Sequence, residues 1–153
     1  MRRFAIFCSC AAAVVGCAKP ETKAPAAASV APPPPPAIAL ADVAGKWSVK
    51  GMNEARDTTI VTYQLNATAD TAGWTITFPN RKPIPARVAA VAGASVVIEA
   101  GPYESALRKG VQVTTHGMFR LQNGMLVGLT VAHYKTTKPD SVRRIPTEGT
   151  RAP

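Results

Sequence analysis

Residues 113–134 read VTTHGMFRLQNGMLVGLTVAHY, and two features of this segment indicate the architecture of the domain around it. The first is Asn123-Gly124, a pair typical of a type I′ turn, in which both central residues adopt positive φ and the flanking strands keep their right-handed twist. A two-residue loop also fixes the register, so Gln122 faces Met125 and Thr114 faces His133. The segment therefore predicts a long antiparallel hairpin.

The second feature is the division of this hairpin into two unlike faces. We expect the face of Phe119 to point inward, because the other face would bury Arg120, Gln122 and two histidines, and polar groups without partners are unfavourable in a core. The inward set is Val113, Thr115, Gly117, Phe119, Leu121, Leu126, Gly128, Thr130, Ala132 and Tyr134. Outward, Met118, Val127, Leu129 and Val131 then form either a contact surface for a partner or scattered surface hydrophobic residues.

The same alternation of apolar and polar residues continues on both sides of the hairpin. Trp47 and Val49 alternate with polar residues, as do Trp74, Ile76 and Phe78. No segment shows a helical period. Eight short strands, the last over 141–145, predict an all-β domain: an eight-stranded antiparallel up-and-down meander that forms a closed barrel or a flattened sandwich.

Consecutive loops of a meander lie at alternate ends, and one end collects the longer and more basic connections. These are residues 52–57, 79–84, 101–109 and 135–139. We expect this end to be the mouth, where the domain binds an anionic envelope component or a small ligand. The candidate residues are Arg56, Arg81, Lys82, Tyr103, Arg108 and Lys109. The alternative is that these loops are solvated and carry the general basic excess of the chain.

Gly45-Lys46-Trp47, at the start of the first strand, resembles the Gly-x-Trp signature that opens the lipocalin and avidin-type barrels. In those families the tryptophan closes the barrel floor, and an arginine from the last strand often covers it. The resemblance implies that Trp47 closes the floor here and that Arg143 or Arg144 covers it. Because the other lipocalin motifs are missing, the resemblance extends to the architecture and to no ligand.

The chain begins with Met1-Arg2-Arg3 and an apolar stretch, an order typical of an export signal. Val14-Val15-Gly16-Cys17 resembles the lipobox of bacterial lipoproteins. The resemblance implies cleavage before Cys17, a diacylglycerol on its sulfur and acylation of the new amino terminus with a fatty acid such as palmitate. Two or more acyl chains anchor a protein stably. By the same resemblance, Ala18 after the cysteine implies the outer membrane, facing the periplasm or the surface. The alternative is an ordinary signal peptide.

Composition divides the chain into four segments. As the lipobox resemblance implies, we expect residues 1–16 to be the lipoprotein signal peptide and Cys17 to be lipidated. We expect residues 17–41 to be this cysteine and an Ala/Pro-rich tether, 42–146 the β domain and 147–153 a flexible tail. Proline fixes φ and lacks an N–H, so the run Pro32–Pro36 indicates an extended spacer. The alternative for this run is a proline-rich recognition motif. Cys8 and Cys10 fall in the signal, so we expect no disulfide.

Charge and motifs limit the classes of function. The chain has 18 basic residues, of which the signal removes two, against 9 acidic ones. This excess suits anionic lipids or polymers; we expect no nucleic acid, because the aromatic residues are not interleaved with basic ones. No catalytic motif or cofactor motif is present. His116 and His133 are diagonal neighbours on one face without a third ligand, so we expect no metal site.

We therefore expect a non-enzymatic binding module anchored to the membrane through acylated Cys17. The main alternative is an interaction module, such as an accessory protein or an inhibitor, that docks a protein partner through the outward apolar face. An enzyme that uses Tyr103 and His116 is a third reading.

Overall fold

A computed structural model of the chain describes residues 37–153. The signal, Cys17 and most of the tether lie outside the described residues. The elements in the described part are α1 (Leu40–Val43), β1 (Gly45–Met52), β2 (Thr59–Ala67), β3 (Trp74–Thr77), β4 (Ile84–Ala92), β5 (Ser95–Glu104), β6 (Gln112–Gln122), β7 (Met125–Tyr134) and β8 (Val142–Arg151). In this part of the chain, no helix has the length and apolarity needed to cross a membrane.

The eight strands form one closed antiparallel barrel. Each strand pairs with the next along the chain, and β8 pairs with β1. This confirms the predicted all-β meander and decides for the barrel over the flattened sandwich. Closure satisfies the backbone groups that an open sheet leaves at its edges.

The β6–β7 hairpin has the predicted register, from Gln122 opposite Met125 to Thr114 opposite His133. Asn123 and Gly124 have φ of 51° and 76°, as a type I′ turn requires. The predicted inward face is buried, with Phe119 only 2% exposed. A side chain at Gly128 would collide with the backbone oxygen of Met118, so the hairpin requires glycine there.

The floor of the barrel is closed by Trp47, which is fully buried. Its indole N–H donates a hydrogen bond to the Val43 carbonyl at 2.8 Å. The guanidinium of Arg151 lies over the indole, 4.5 Å from the ring centroid. It also donates hydrogen bonds to the backbone carbonyls of Asp42, in α1, and Ala44, which follows α1. A cation so placed is attracted by the negative face of the ring.

The prediction that Arg143 or Arg144 covers Trp47 is therefore wrong. The last strand does supply an arginine, but this residue is Arg151, and Arg143 and Arg144 lie at the other end of β8, opposite Ala132 and Val131. The reason is the length of β8. It pairs with β1 from Thr147 to Arg151, so these five residues are strand instead of the predicted flexible tail.

The packed part of the chain also starts earlier than predicted. Ile38 and Leu40, which were assigned to the tether, pack against the core, and the Ile38 N–H donates to the Gly93 carbonyl at 2.9 Å. The short α1 turn was missed because four residues are too few to display a helical period. Its Val43 is 1% exposed and adds to the buried floor.

Candidate ligand-binding site

Four loops surround the end of the barrel opposite Trp47. They join β1 to β2, β3 to β4, β5 to β6 and β7 to β8, which is the set predicted to form the mouth. The loop over residues 105–111, between β5 and β6, reaches over the barrel interior, and we call it the lid loop. Ser105, Ala106 and Leu107 of this loop line the space beneath it.

Beneath the lid loop lies an interior cavity of about 50 Å³. Its walls are mainly aliphatic and aromatic, and no residue that lines it carries a charged side chain. The apolar lining includes Val61, Ile76, Phe78, Ile98, Val113, Phe119, Ala132 and Ile145. A neutral, mostly apolar wall with a few polar groups is characteristic of sites for small molecules.

Three aromatic side chains follow one another along one wall. The ring centroids of Tyr63 and Phe78 are 5.6 Å apart, and those of Phe78 and Tyr103 are 5.8 Å apart, both in tilted arrangements. Tyr103 points inward because a register shift in β5 separates Ala100 from Tyr103, so that Tyr103 pairs with Val113. This bulge is the reason why one of the predicted site residues reaches the cavity.

Three threonine hydroxyls are among the polar groups of the wall. Thr115 is engaged, because its hydroxyl donates to the Ala100 carbonyl at 3.4 Å and lies 3.3 Å from the Tyr103 hydroxyl. By contrast, the buried hydroxyls of Thr130 and Thr147 have no hydrogen-bond partner within residues 37–153. Thr147 is 1% exposed, and both residues line the cavity. Buried polar groups are nearly always paired, so two such hydroxyls require an explanation.

The two unpaired hydroxyls belong to neighbouring strands. Thr130 of β7 pairs with Ile145 of β8, and Thr147 follows Ile145 by two residues on the same face. Such diagonal neighbours have Cα atoms about 7–8 Å apart, near enough for one small group to reach both side chains. The hairpin register had already predicted Thr130 to point inward. Thr147 was missed because it fell in the supposed tail.

Two tyrosines at the cavity, Tyr63 and Tyr103, have pKa values raised by burial. Burial raises the pKa of Tyr63 far above its usual range. The neighbouring Thr130 side chain lowers this pKa in part, although its hydroxyl makes no hydrogen bond of ordinary geometry. Burial likewise raises the pKa of Tyr103, while the hydrogen bond with Thr115 opposes the rise. Loss of solvation disfavours the phenolate, so the interior remains uncharged.

Arg81 holds the start of the lid loop. Its guanidinium donates to the carbonyls of Glu104 and Ser105, at 2.6 and 3.3 Å. The buried Ser105 hydroxyl in turn accepts hydrogen bonds from the backbone N–H groups of Leu107 and Arg108, at 3.0 and 3.1 Å. These contacts join the β3–β4 loop to the lid loop and shape its first turn.

Arg108 holds the middle of the same loop. Its guanidinium lies 4.0 Å from the centroid of the Tyr134 ring and pairs with the Asp140 carboxylate at 2.6 Å. The contact joins the lid loop to the β7–β8 loop. Two arginines that were expected to bind ligand are therefore engaged in positioning the cover of the cavity.

The other predicted basic residues lie on the rim. Arg56, Lys82 and Lys109 are exposed, and none of them takes part in an ion pair within residues 37–153. Their binding of an anionic component stays a prediction. Of the six candidate residues, Tyr103 alone is among those that line the cavity.

His116 and His133 are neighbours on the outside of the barrel. Their rings stand edge to face with centroids 5.5 Å apart. The described residues contain no group of three or more side chains placed to hold a metal ion. Because His116 pairs with Glu99 on the outer face whereas Tyr103 points inward, the two residues of the enzyme reading lie on opposite sides of the sheet.

The outward apolar residues of the hairpin are unequally exposed. Met118 is 44% exposed, whereas Val127, Leu129 and Val131 are half-buried.

No family model, curated protein or solved structure matches the chain. Function is therefore inferred from the geometry of the barrel.

Proposed function

We propose that this protein is a membrane-anchored binding module that takes a small uncharged ligand into the interior of its barrel, beneath the lid loop. The observation that carries this proposal is the neutral cavity with the unpaired hydroxyls of Thr130 and Thr147 in its wall. Leaving a buried hydroxyl unpaired destabilises a protein by about 1–3 kcal/mol. A ligand that completes these hydrogen bonds would recover that free energy on binding.

The size of the cavity implies that the lid loop moves when the ligand enters. A cavity of about 150 Å³ accepts benzene, and the interior here has about 50 Å³. Outward movement of Ala106 and Leu107 would enlarge this space without disturbing the barrel strands. Such movement breaks the contacts of Arg81 and Arg108, which are polar and lie at the rim.

The floor of the barrel supports a lipocalin-like architecture for this module. A buried tryptophan of the first strand, Trp47, lies under an arginine of the last strand, Arg151, which is the arrangement that the Gly-x-Trp signature implies. With the floor closed in this way, the mouth is the natural entrance. The resemblance supports the architecture and names no ligand.

The anchor is proposed from Val14-Val15-Gly16-Cys17 and the apolar segment before it. Acylated Cys17 would hold the barrel at the outer membrane, with the Ala/Pro-rich segment as a spacer. Labelling of cells with an alkyne fatty acid should mark the wild-type protein and leave Cys17→Ser unmarked. Equal labelling of both proteins would exclude Cys17 as the site of acylation.

An anionic envelope component would have to bind at the rim and not inside. No charged side chain lines the cavity, and an ion moved into it would lose its hydration without a compensating partner. The exposed Arg56, Lys82 and Lys109 are the residues for such contacts. Replacing all three by serine should abolish binding to vesicles that contain anionic lipid, and unchanged binding would contradict a rim site.

Xenon tests whether the interior accepts an apolar guest, because it fills small dry cavities without needing a hydrogen bond. In methyl NMR spectra of the purified protein, we expect xenon to shift the signals of the cavity residues Ile98, Val113 and Ile145. The exposed Val142 provides an internal control, and its signals should stay in place. Equal shifts at exposed and cavity methyl groups would contradict interior binding.

Docking of a protein partner is a second candidate, supported by the 44% exposure of Met118 in the outward apolar face. Exposed apolar surface of this kind is often a contact surface. The first test is self-association, measured by sedimentation velocity of the wild type and of Met118→Gln. A wild-type dimer that the substitution dissociates would support docking through this face, and a monomer in both cases would argue against a second copy as the partner.

A further inference from the structure

We propose that the ligand is an uncharged, single-ring aromatic molecule with one oxygen substituent, of the phenol type, whose oxygen hydrogen-bonds to Thr130 and Thr147. This inference rests on the proposed function, since it names the chemistry of the molecule that the barrel would hold.

The oxygen substituent is inferred from the two unpaired hydroxyls. A threonine hydroxyl both donates and accepts, so a phenol oxygen between Thr130 and Thr147 is able to accept from one and donate to the other. Both hydroxyls are buried and line the cavity, and neither makes a hydrogen bond of ordinary geometry in the described chain, although the Tyr63 phenol lies beside Thr130. A purely apolar guest would leave them unpaired.

The ring is inferred from the aromatic side chains that line the cavity. Tyr63, Phe78 and Tyr103 come from β2, from the residue after β3 and from β5, whereas the two threonines come from β7 and β8. The aromatic side chains pack at centroid distances of 5.6 and 5.8 Å with tilted planes. A further ring can extend this tilted packing, which aromatic groups prefer to a face-to-face sandwich. A ligand in this cavity would therefore place its ring against the aromatic side chains and its oxygen against the threonines.

The absence of charge follows from the composition of the cavity wall. All the lining residues are neutral, and two arginines of the mouth loops, Arg81 and Arg108, are bound to the lid loop and to Asp140 respectively. A carboxylate would therefore find hydroxyl groups but no cation inside. Charged analogues should bind far more weakly than neutral ones.

Phenol and toluene form a suitable pair of probes, because they have the same shape and differ by a hydroxyl in place of a methyl group. Their affinities for the purified protein can be followed by the methyl signals of Ile98 and Ile145, with benzoate as the charged probe. We expect phenol to bind at least as tightly as toluene, and benzoate not to bind. The substitution Thr147→Val removes one hydroxyl and keeps the shape of the side chain.

Thr147→Val should weaken phenol binding roughly tenfold, the equivalent of one hydrogen bond, and leave toluene binding within about twofold. Thr114→Val is the matched control, since Thr114 lies on the other face of the hairpin, and it should change neither affinity. Circular dichroism of both variants verifies that they are folded, and Thr130→Val provides a second removal of a hydroxyl.

The outcomes separate this inference from the proposed function. If toluene binds and phenol binds without sensitivity to either threonine, interior binding stands and recognition of the oxygen is overturned. If benzoate binds as tightly as phenol, the restriction to uncharged ligands is overturned. If neither phenol nor toluene shifts the cavity signals, this inference fails; failure of xenon to shift them as well overturns the proposed function.

Discussion

The guanidinium of Arg151 lies 4.5 Å from the centroid of the Trp47 indole and donates hydrogen bonds to the carbonyls of Asp42 and Ala44, both at 2.8 Å. The last strand thus connects to the segment that precedes the first strand. The contact covers the barrel at one end, and the proposed binding therefore uses the other end, beneath the lid loop.

Arg151→Ala should destabilise the barrel. It removes a cation over Trp47 and two charge-assisted hydrogen bonds, and we expect the free energy of unfolding to fall by about 1–3 kcal/mol. The matched control is Arg144→Ala in the same strand, because Arg144 is exposed. Urea unfolding measures both. If Arg144→Ala lowered the midpoint as much as Arg151→Ala, the floor contact would not be a special source of stability.

Thr147→Val should stabilise the protein in the absence of ligand. The substitution replaces a buried hydroxyl that has no partner by a methyl group of similar size, so we expect the free energy of unfolding to rise by about 1 kcal/mol. Thr115→Val is the contrasting variant, because it removes a hydroxyl that bonds to the Ala100 carbonyl, and it should lower stability by about 1 kcal/mol. Equal losses in both variants would show that Thr147 has a structural partner.

Stability should decline at alkaline pH through the buried Tyr63. The pKa of Tyr63 in the folded protein is raised above that of the unfolded chain, near 10. The contribution of Tyr63 to the free energy of unfolding is therefore fully present below about pH 10. It is lost as the pH rises further, by at most about 1.4 kcal/mol per pH unit. Tyr63→Phe should make this decline shallower.

Urea unfolding between pH 8 and 11 measures the effect of Tyr63→Phe. The exposed neighbour Thr62 provides a control, and Thr62→Ala should keep the wild-type slope. An unchanged slope in Tyr63→Phe would mean that the Tyr63 hydroxyl is not desolvated in the folded protein.

Arg81→Ala should loosen the lid loop. Arg81 donates hydrogen bonds to the carbonyls of Glu104 and Ser105. The Ser105 hydroxyl accepts hydrogen bonds from the backbone N–H groups of Leu107 and Arg108. We expect amide hydrogen exchange at Leu107 and Arg108 to become several-fold faster, equivalent to the loss of about 1 kcal/mol. Lys82→Ala, a change of the exposed neighbour, should leave both rates unchanged. Equal exchange in the two variants would contradict the role of Arg81.

Local sequence chemistry was sufficient to predict much of the fold. The Asn123-Gly124 turn permits one register, and this register identified which side chains of the hairpin point inward, including Thr130. The alternation of residues near Trp47 and Trp74 predicted strands whose apolar faces are indeed buried. These features are determined by neighbours in the sequence and by the twofold period of a strand.

The errors arose where distant contacts determine the structure. Pro146 and Gly149 interrupt the strand pattern after Ile145. The β8 backbone nevertheless pairs with β1 as far as Arg151, so the strand continues and includes Thr147. Ligand contacts of the basic loop residues stay a prediction. Two of these residues are engaged within the protein: Arg81 with the carbonyls of Glu104 and Ser105, and Arg108 with the Asp140 carboxylate and the Tyr134 ring. The sequence of a loop does not reveal whether its charged side chains are already paired with other groups of the protein.

A crystal structure of the purified protein grown with phenol tests the central claim most directly. We predict a phenol ring in the cavity between the aromatic wall and β7–β8, with its oxygen within hydrogen-bond distance of the Thr130 or Thr147 hydroxyl and with the lid loop displaced outward. A cavity that contains only ordered water, beneath a lid loop in its present position, would contradict it.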